Sequence, residues 1–302
     1  MFGPTVSRFT GKSLSHDGRT QILMVLPLAL SLLLLTVLPL IATIGVSFTD
    51  LDLAYPNRWA FIELGQYDRL LGDSRWWEAL SRGVIYIVVP TALQMFLGLV
   101  LALLLHSGFR LIRATRTLFI LPMVLPPVVV GVLWKAFLLR GIGGLDYFIG
   151  LLGIPAPGLL ETAEGALAAI IVTLTWEWTP FVMLLLLAGL QSLPEEPFEA
   201  ARIDGASGFQ IIRYVTLPLL RPTLLVVLLF RVIESTKAFP VIFTITGGGP
   251  GQSTENMDFY AYLVGFRYFD LGYAAAMLVA ILLIFAVLCV PLFRVIVKGR
   301  SN

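Results

Sequence analysis

Five charged side chains lie well inside long apolar stretches of the sequence, away from the basic C-terminal end: Lys135, Glu177, Arg231, Glu234 and Lys237. A charge in such a stretch is costly when it faces hydrocarbon, so it usually faces a polar cavity or another charge. The last three are spaced by three residues, which places them on one broad helical face and brings Arg231 close enough to pair with Glu234. The sequence therefore predicts a polar path through an apolar region.

Glu177 lies between two tryptophans, Trp176 and Trp178. A carboxylate that accepts hydroxyl hydrogen bonds, beside a ring that stacks on an apolar ring face, is typical of carbohydrate recognition. In the structural alternative, the carboxylate neutralises one of the basic residues of the set and holds helices in register. Both interpretations stay open, and they are not exclusive. Lys135 is expected to extend to the external interface rather than to bind a ligand.

The sequence offers no complete set of catalytic or metal-binding residues. Two histidines and one cysteine are too few for a zinc or iron–sulfur site. His16 lies in a polar tail and His106 at the edge of an apolar stretch, so neither completes a nucleophile, base and orienting acid. No lysine occupies the Gly-x-x-x-x-Gly-Lys spacing of a phosphate-binding loop. We therefore expect no metal, no cofactor and no enzymatic reaction on this chain.

The composition predicts a membrane protein. Hydrophobic residues make up 58% of the chain and charged residues only 13%, more apolar surface than one aqueous core can bury. The net charge of +2 is too small to indicate binding to nucleic acid. The first apolar run, residues 22–48, is longer than the core of a signal peptide and has no cleavage site after it.

Six apolar stretches approach or exceed the about 20 residues that a membrane-spanning helix needs. They are residues 22–48, 83–105, 118–139, 166–190, 223–246 and 273–297. The sequence therefore predicts an all-α polytopic protein, with a six-helix domain over 22–297 and tails at 1–21 and 298–302. Lys and Arg concentrate in the tails and in alternate loops, which predicts that both termini are cytoplasmic. The external segments are then 49–82, 140–165 and 247–272, and the aromatic residues of the first favour a short interfacial helix.

The cytoplasmic loop over 191–222 has the pattern of two short helices joined by a sharp turn. Prolines and glutamates at 194–199 favour a helix start, and Gly205 permits the turn. A second short helix is expected through Tyr214, ended by Pro218. Small side chains at Ala200, Ala201 and Ala206 would let another surface approach closely.

This loop resembles the EAA loop of ABC importer permeases. The family pattern is Glu-Ala-Ala, three residues, Gly, nine residues, an aliphatic residue, any residue and Leu-Pro. The matching stretches are Glu199-Ala200-Ala201, Gly205 and Val215-Thr216-Leu217-Pro218, with Val215 where the family often has Ile. The resemblance implies that the segment, including Asp204, is the coupling helix that seats in a groove of an ATPase subunit.

A second resemblance indicates the subfamily. Thr246-Gly247-Gly248-Gly249-Pro250 looks like the Thr-Gly-Gly-Gly-Pro segment of carbohydrate permeases of the maltose-transporter type, and residues 61–67 resemble their first external loop. The glycines let backbone approach a ligand or partner, although a flexible turn would need them equally.

Together these resemblances imply one permease subunit of an importer for a sugar, polyol or sugar derivative. Its partners would be a second permease, two cytoplasmic ATPase subunits that hold ATP and Mg, an extracytoplasmic solute-binding protein and membrane lipid. The implied location is the cytoplasmic (inner) membrane of a bacterium or archaeon, and the implied mechanism is alternating access. The main alternative is a secondary transporter driven by an ion gradient, which needs no coupling loop. A membrane-embedded enzyme is disfavoured because no catalytic set is present.

Overall fold

The computed structural model describes residues 24–106, 116–155 and 158–299, and its regular structure there is helical apart from isolated bridges at Thr49–Phe61 and Asp52–Asp270. The helices, with a 3-10 turn at Leu159–Glu161, are α1 (Met24–Val46), α2 (Gly65–Gly72), α3 (Ser74–His106), α4 (Arg116–Val124), α5 (Pro127–Leu138), α6 (Gly144–Gly150), α7 (Ala163–Gln191), α8 (Glu196–Ile203), α9 (Gly208–Ser235), α10 (Phe239–Ile245), α11 (Met257–Phe266) and α12 (Leu271–Gly299). The predicted N-terminal tail and His16 lie outside the described residues.

Five helices in the described ranges are long and apolar enough to cross a membrane: α1, α3, α7, α9 and the first part of α12. The stretch predicted as a single third span is two shorter helices, α4 and α5. Its break lies at adjacent prolines, where Pro126 has an extended conformation (φ −58°, ψ 138°). A residue that precedes a proline is kept out of the helical region by steric contact, which explains why the helix stops and restarts.

The predicted fifth span, 223–246, is also interrupted. Helix α9 begins earlier, at Gly208, and ends at Ser235, and α10 starts at Phe239. Pro240 has no N–H group to donate to the carbonyl one turn earlier, so a continuous helix would lose a bond there. The break leaves Lys237 on non-helical backbone beside the end of α9.

Pro218 does not end a helix, so that prediction is wrong. Residues Ile212–Thr216 form a single wide π-turn, closed by the N–H of Leu217 donating to the carbonyl of Ile212, and the helix continues through Pro218. The wider turn makes room for the proline ring and removes the need for its missing donor. A matching π-turn at Leu33–Val37 precedes Pro39 in α1.

The helices pack around α3 and α7. Helix α7 lies along α3, and α9 contacts both. Ala102 and Leu105 of α3 pack with Val182 and Leu186 of α7 in one buried cluster, to which Leu220 of α9 also belongs. This packing sets the positions of Glu177 in α7 and of Arg231 and Glu234 in α9.

Candidate solute cavity and coupling loop

A cavity of about 320 Å³ opens between α3, α4, α5, α7, α9 and α10. It is lined by Tyr86, Pro90, Met123, Leu125, Pro127, Leu174, Glu177, Trp178, Glu234, Ser235, Lys237, Ala238, Pro240 and Val241. Four of the residues predicted for the solute path meet at this wall: Glu177, Trp178, Glu234 and Lys237. The breaks between α4 and α5 and between α9 and α10 both contribute to it, because irregular backbone is tolerated where it lines a cavity.

Glu177 is the buried acid of this wall, with 2% of its surface exposed. Its Oε2 atom has no hydrogen-bond partner among the described residues. A buried carboxylate oxygen without a partner is costly, so a hydrogen-bond donor that reached it would stabilise it.

Glu234 forms an ion pair with Lys237, not with Arg231 as predicted. Nζ of Lys237 lies 2.9 Å from Oε1 and 3.2 Å from Oε2 of Glu234. The helix break places Lys237 beyond the end of α9, from where its long side chain reaches back to the carboxylate. Arg231 instead points into the protein.

Arg231 lies behind the cavity wall and is 1% exposed. Its Nε donates to Oε1 of Gln94 at 2.8 Å, and its guanidinium carbon lies 4.7 Å from the centre of the Trp178 ring. A guanidinium over an indole face gains a cation–π attraction that strengthens away from water. Arg231 is therefore held by α3 and α7 together.

The remaining intramembrane candidates lie away from the cavity. Trp176 is on another face of α7, partly exposed, with its ring centre 5.8 Å from that of Trp134. Successive helical residues are turned by about 100°, which is why Trp178 reaches the cavity and Trp176 does not. Lys135, in the last turn of α5, is exposed and does not line the cavity.

The sequence analysis missed Gln94, which is fully buried in α3. Its Nε2 donates to the backbone carbonyl of Leu174 at 2.8 Å, so one side chain joins α3, α7 and α9. The signal was present, since Gln94 is the one amide side chain in the second apolar stretch, residues 83–105. Gln94 carries no charge, so the pattern of ionisable residues does not reveal it.

The loop between α7 and α9 contains the short helix α8 and the turn at Gly205. Gly205 has a φ of +76° and its N–H donates to the carbonyl of Arg202, while the N–H of Ala206 donates to Ala201. This is a Schellman motif, which closes a helix end with a residue in the left-handed conformation. Ser207 then caps α9 through a capping box with Gln210.

Residues Glu199, Ala200 and Asp204 are exposed, and Ala201 is partly exposed. Leu217 and Pro218 lie further on, in the helix that leaves the turn. Large apolar side chains also project from this loop and from the start of α9: Ile203 is 85% exposed, and Phe209 and Tyr214 are 73% and 69% exposed. The exposed apolar and acidic groups give the loop a mixed surface of the kind that a protein partner covers.

The glycine segment at 247–250 folds against the protein. Gly248 has a φ of +90°, and a Cβ atom there would lie 2.7 Å from the Phe259 ring, so only glycine fits. The hydroxyls of Thr246 and Thr254 are 2.8 Å apart and tie the two ends of the turn. These contacts give Gly248 a structural role.

An ionic network that the sequence did not reveal continues from this turn. Glu255, buried, accepts two hydrogen bonds from Arg75 of α3, at 2.8 Å and 3.0 Å, and its backbone carbonyl accepts from Arg82 at 2.7 Å. One carboxylate oxygen of Asp73 accepts from the hydroxyls of Tyr260 and Tyr273, at 2.7 Å and 2.6 Å. Burial raises the pKa of Asp73, but the hydrogen bonds from the tyrosines and from two backbone N–H groups outweigh it, so this pKa lies below its ordinary value.

Residues 94–298 match the family model described as the binding-protein-dependent transport system inner membrane component. That match covers more than half of the chain. The chain belongs to this family. It is therefore an ABC importer permease, a multi-pass membrane protein.

Two relatives and one solved structure show the extent of the likeness. The chain is 38% identical over 284 residues to a probable ABC transporter permease protein, y4oQ, of Sinorhizobium fredii, covering 93% of this chain and 91% of the relative. It is 33% identical over 266 residues to the trehalose/maltose transport system permease protein MalF of Thermococcus litoralis, covering 88% of each. A chain from a bacterial ABC transporter involved in the import of the acidic polysaccharide alginate has the same fold, with a TM-score of 0.81 at 20% identity over 94% of this chain and 97% of that one.

Proposed function

We propose that the chain forms half of the solute path of an ATP-driven importer for a sugar or polyol. The observation that carries this proposal is the course of α9, which starts in the exposed loop and ends in the cavity wall. Gly208 and Ser235 are the ends of one 28-residue helix, about 42 Å long. A movement of the loop would therefore reach Glu234 and Ser235 through a rigid element.

The six-span topology remains part of the proposal. In it, α4 and α5 cross the membrane together as the third span, and α9 with α10 makes the fifth. Both termini then lie in the cytoplasm of a bacterium or archaeon, and the loop that carries Gly205 is cytoplasmic too. The cavity would lie at the depth in the membrane where the break between α4 and α5 faces the break between α9 and α10.

The cavity chemistry supports a polyhydroxylated solute. Glu177 offers an acceptor, and Trp178 beside it offers an aromatic surface for the apolar face of a sugar ring. The relative from Thermococcus litoralis is a trehalose/maltose permease by name, which agrees with this chemistry.

The proposed partners follow from the exposed loop and from the family. Ile203, Phe209 and Tyr214 would be covered by a cytoplasmic ATPase subunit, one of two that hold ATP and Mg. A second permease would complete the path, and an extracytoplasmic binding protein would deliver the solute. Closure of the ATPases would move α8 and open the cavity outward.

Gly205→Val tests the coupling role. A β-branched residue at a positive φ is strained by roughly 1 to 3 kcal/mol, so the turn should distort and should no longer bind the ATPase subunit correctly. Membrane insertion should stay normal, while solute uptake and solute-stimulated ATP hydrolysis by the reassembled complex should be abolished. Gly208→Val is the matched control, because Gly208 has no positive φ and no atom near its Cβ position. Normal uptake and ATPase stimulation in Gly205→Val would overturn the proposal, and uptake driven by an ion gradient without ATP would favour a secondary transporter.

A further inference from the structure

Two charged side chains beside the cavity keep a buried polar atom without a hydrogen-bond partner among the described residues. One is Oε2 of Glu177, and the other is Nη1 of Arg231. Trp178 is next to both: its ring contacts Arg231, and it lines the cavity together with Glu177, the residue before it. Opposite charges buried in the same part of a protein ordinarily form an ion pair, yet the described residues show none between Glu177 and Arg231.

Gln94 explains why the pair does not form. Its Oε1 accepts from Nε of Arg231, and its Nε2 donates to the carbonyl of Leu174, both at 2.8 Å. The orientation of this amide is unambiguous, because the reverse one would set an NH₂ group against a guanidinium and an oxygen against a carbonyl. Both ends of Gln94 are therefore engaged, and Arg231 is fixed through its Nε atom.

A move of Arg231 toward Glu177 would break this arrangement. The guanidinium would leave the face of Trp178, and the buried Oε1 of Gln94 would lose its donor. A buried acceptor without a donor is penalised, so Gln94 opposes the move. The Glu177 carboxylate thus stays unpaired and faces the cavity.

The remaining charges of the cavity wall cancel one another. Glu234 and Lys237 pair at 2.9 Å, so the ammonium group is already occupied. The open group is then the Glu177 carboxylate, which accepts hydrogen bonds from hydroxyls and repels another carboxylate, phosphate or sulfonate.

We propose that Gln94 is a positioning residue that holds Arg231 away from Glu177 and so keeps Glu177 free to accept hydroxyl hydrogen bonds from an uncharged sugar or polyol. This inference rests on the proposed function of the cavity. The inference gives Gln94 a role although Gln94 does not line the cavity. It also predicts that the complex prefers uncharged solutes to acidic ones.

The test uses the complete complex in lipid vesicles, with its binding protein. ATP hydrolysis is titrated with uncharged sugars and polyols, including maltose, trehalose and sorbitol, and with acidic sugars, including an alginate disaccharide. In the wild type an uncharged probe should stimulate hydrolysis. Gln94→Met keeps the length of the side chain and removes both hydrogen bonds, which frees Arg231 to neutralise Glu177. The half-saturating concentration of that probe should rise about tenfold.

A second variant separates this role from simple helix packing. In Gln94→Met with Arg231→Met no guanidinium is left to capture Glu177, so the half-saturating concentration should return to within about twofold of the wild type. Thr91→Val is the control. Thr91 lies one turn from Gln94 in α3 and also has a buried hydroxyl without a partner, so its loss should leave the response unchanged.

The outcomes distinguish the inference from the proposed function. A wild-type complex that responds to none of the probes would overturn both. A wild type that responds only to acidic sugars would overturn the selection of uncharged solutes and leave a sugar importer. An unchanged response in Gln94→Met, or a loss that Arg231→Met does not restore, would overturn the positioning role of Gln94 alone.

Discussion

Buried charges occur in two regions of this molecule, and the two regions treat them differently. Beside the glycine turn at 247–250, both carboxylate oxygens of buried Glu255 accept hydrogen bonds from Arg75, and half-buried Asp73 accepts from the hydroxyls of two tyrosines. At the cavity, Glu177 and Arg231 each keep a buried atom without a partner. Arg82, which bonds to the Glu255 carbonyl, also keeps a buried Nη2 atom without a partner among the described residues, but it does not line the cavity. A buried charge with incomplete hydrogen bonds is therefore a candidate for solute contact where it also lines the cavity, as Glu177 does.

The largest effect on stability is expected from breaking the ion pair between Arg75 and Glu255. Glu255→Gln keeps the shape of the side chain and removes the charge that Arg75 needs. It should destabilise the complex by about 3 kcal/mol, because the partner guanidinium is left largely buried. Thermal unfolding of the purified complex measures this.

Glu78→Gln is the control for that change. Glu78 also pairs with an arginine of α3, Arg82, but it is 62% exposed and the distance is 3.5 Å. An exposed pair of this kind contributes about 0 to 1 kcal/mol. Equal destabilisation by the two substitutions would show that the Arg75–Glu255 pair stabilises the complex no more than an exposed ion pair does.

A substitution at Glu177 in the cavity wall should affect activity more than stability. Glu177→Gln should cost less than about 1 kcal/mol of stability, because the carboxylate oxygen it changes has no partner to lose. Solute-stimulated ATP hydrolysis should nevertheless fall strongly. Glu164→Gln, an exposed site in the first turn of the same helix, should change neither quantity.

The structural alternative for Glu177 makes a different prediction. If Glu177 neutralises Arg231, then Glu177→Gln should destabilise the complex, and adding Arg231→Gln should restore its stability. Such a rescue would refute solute binding as the main role of Glu177 and would remove the contrast between the two regions.

Loss of the Asp73 carboxylate is expected to cost less stability than loss of the Glu255 carboxylate, and its effect depends on pH. The folded-state pKa lies below the ordinary value of 3.8, so the stabilisation is complete above that value and is lost as pH falls through the folded pKa. Asp73→Asn should cost about 1 to 2 kcal/mol at pH 7, and the difference from the wild type should narrow only below about pH 4.

Unfolding free energies measured from pH 7 to pH 3 check this sign. Asp68→Asn, at an exposed site in α2, serves as the control and should cost less than about 0.5 kcal/mol. A difference between Asp73→Asn and the wild type that already closes between pH 7 and pH 5 would contradict the lowered pKa.

Sequence reasoning found the elements that depend on local pattern. The EAA loop at Glu199 to Pro218 predicted the family, which the match of residues 94–298 to the family model confirms, and four predicted path residues line one cavity. The ionic partners were predicted less well. Arg231 was expected to pair with Glu234 because helical spacing favours it, but the chain breaks before Lys237 and gives Glu234 a nearer cation. The roles of the coupling and path residues remain predictions until the variants are made.

The sequence by itself determined that the chain is a helical membrane protein of the ABC importer permease family, because apolar length and loop spacing are local properties. Only the tertiary structure decided which buried charges are satisfied. Arg75 meets Glu255 across 180 residues, Tyr273 meets Asp73 across 200, and Arg231 meets Gln94 across 137. Contacts over such separations depend on how α3, α7, α9, α11 and α12 pack, and the pattern of any one segment does not contain that packing.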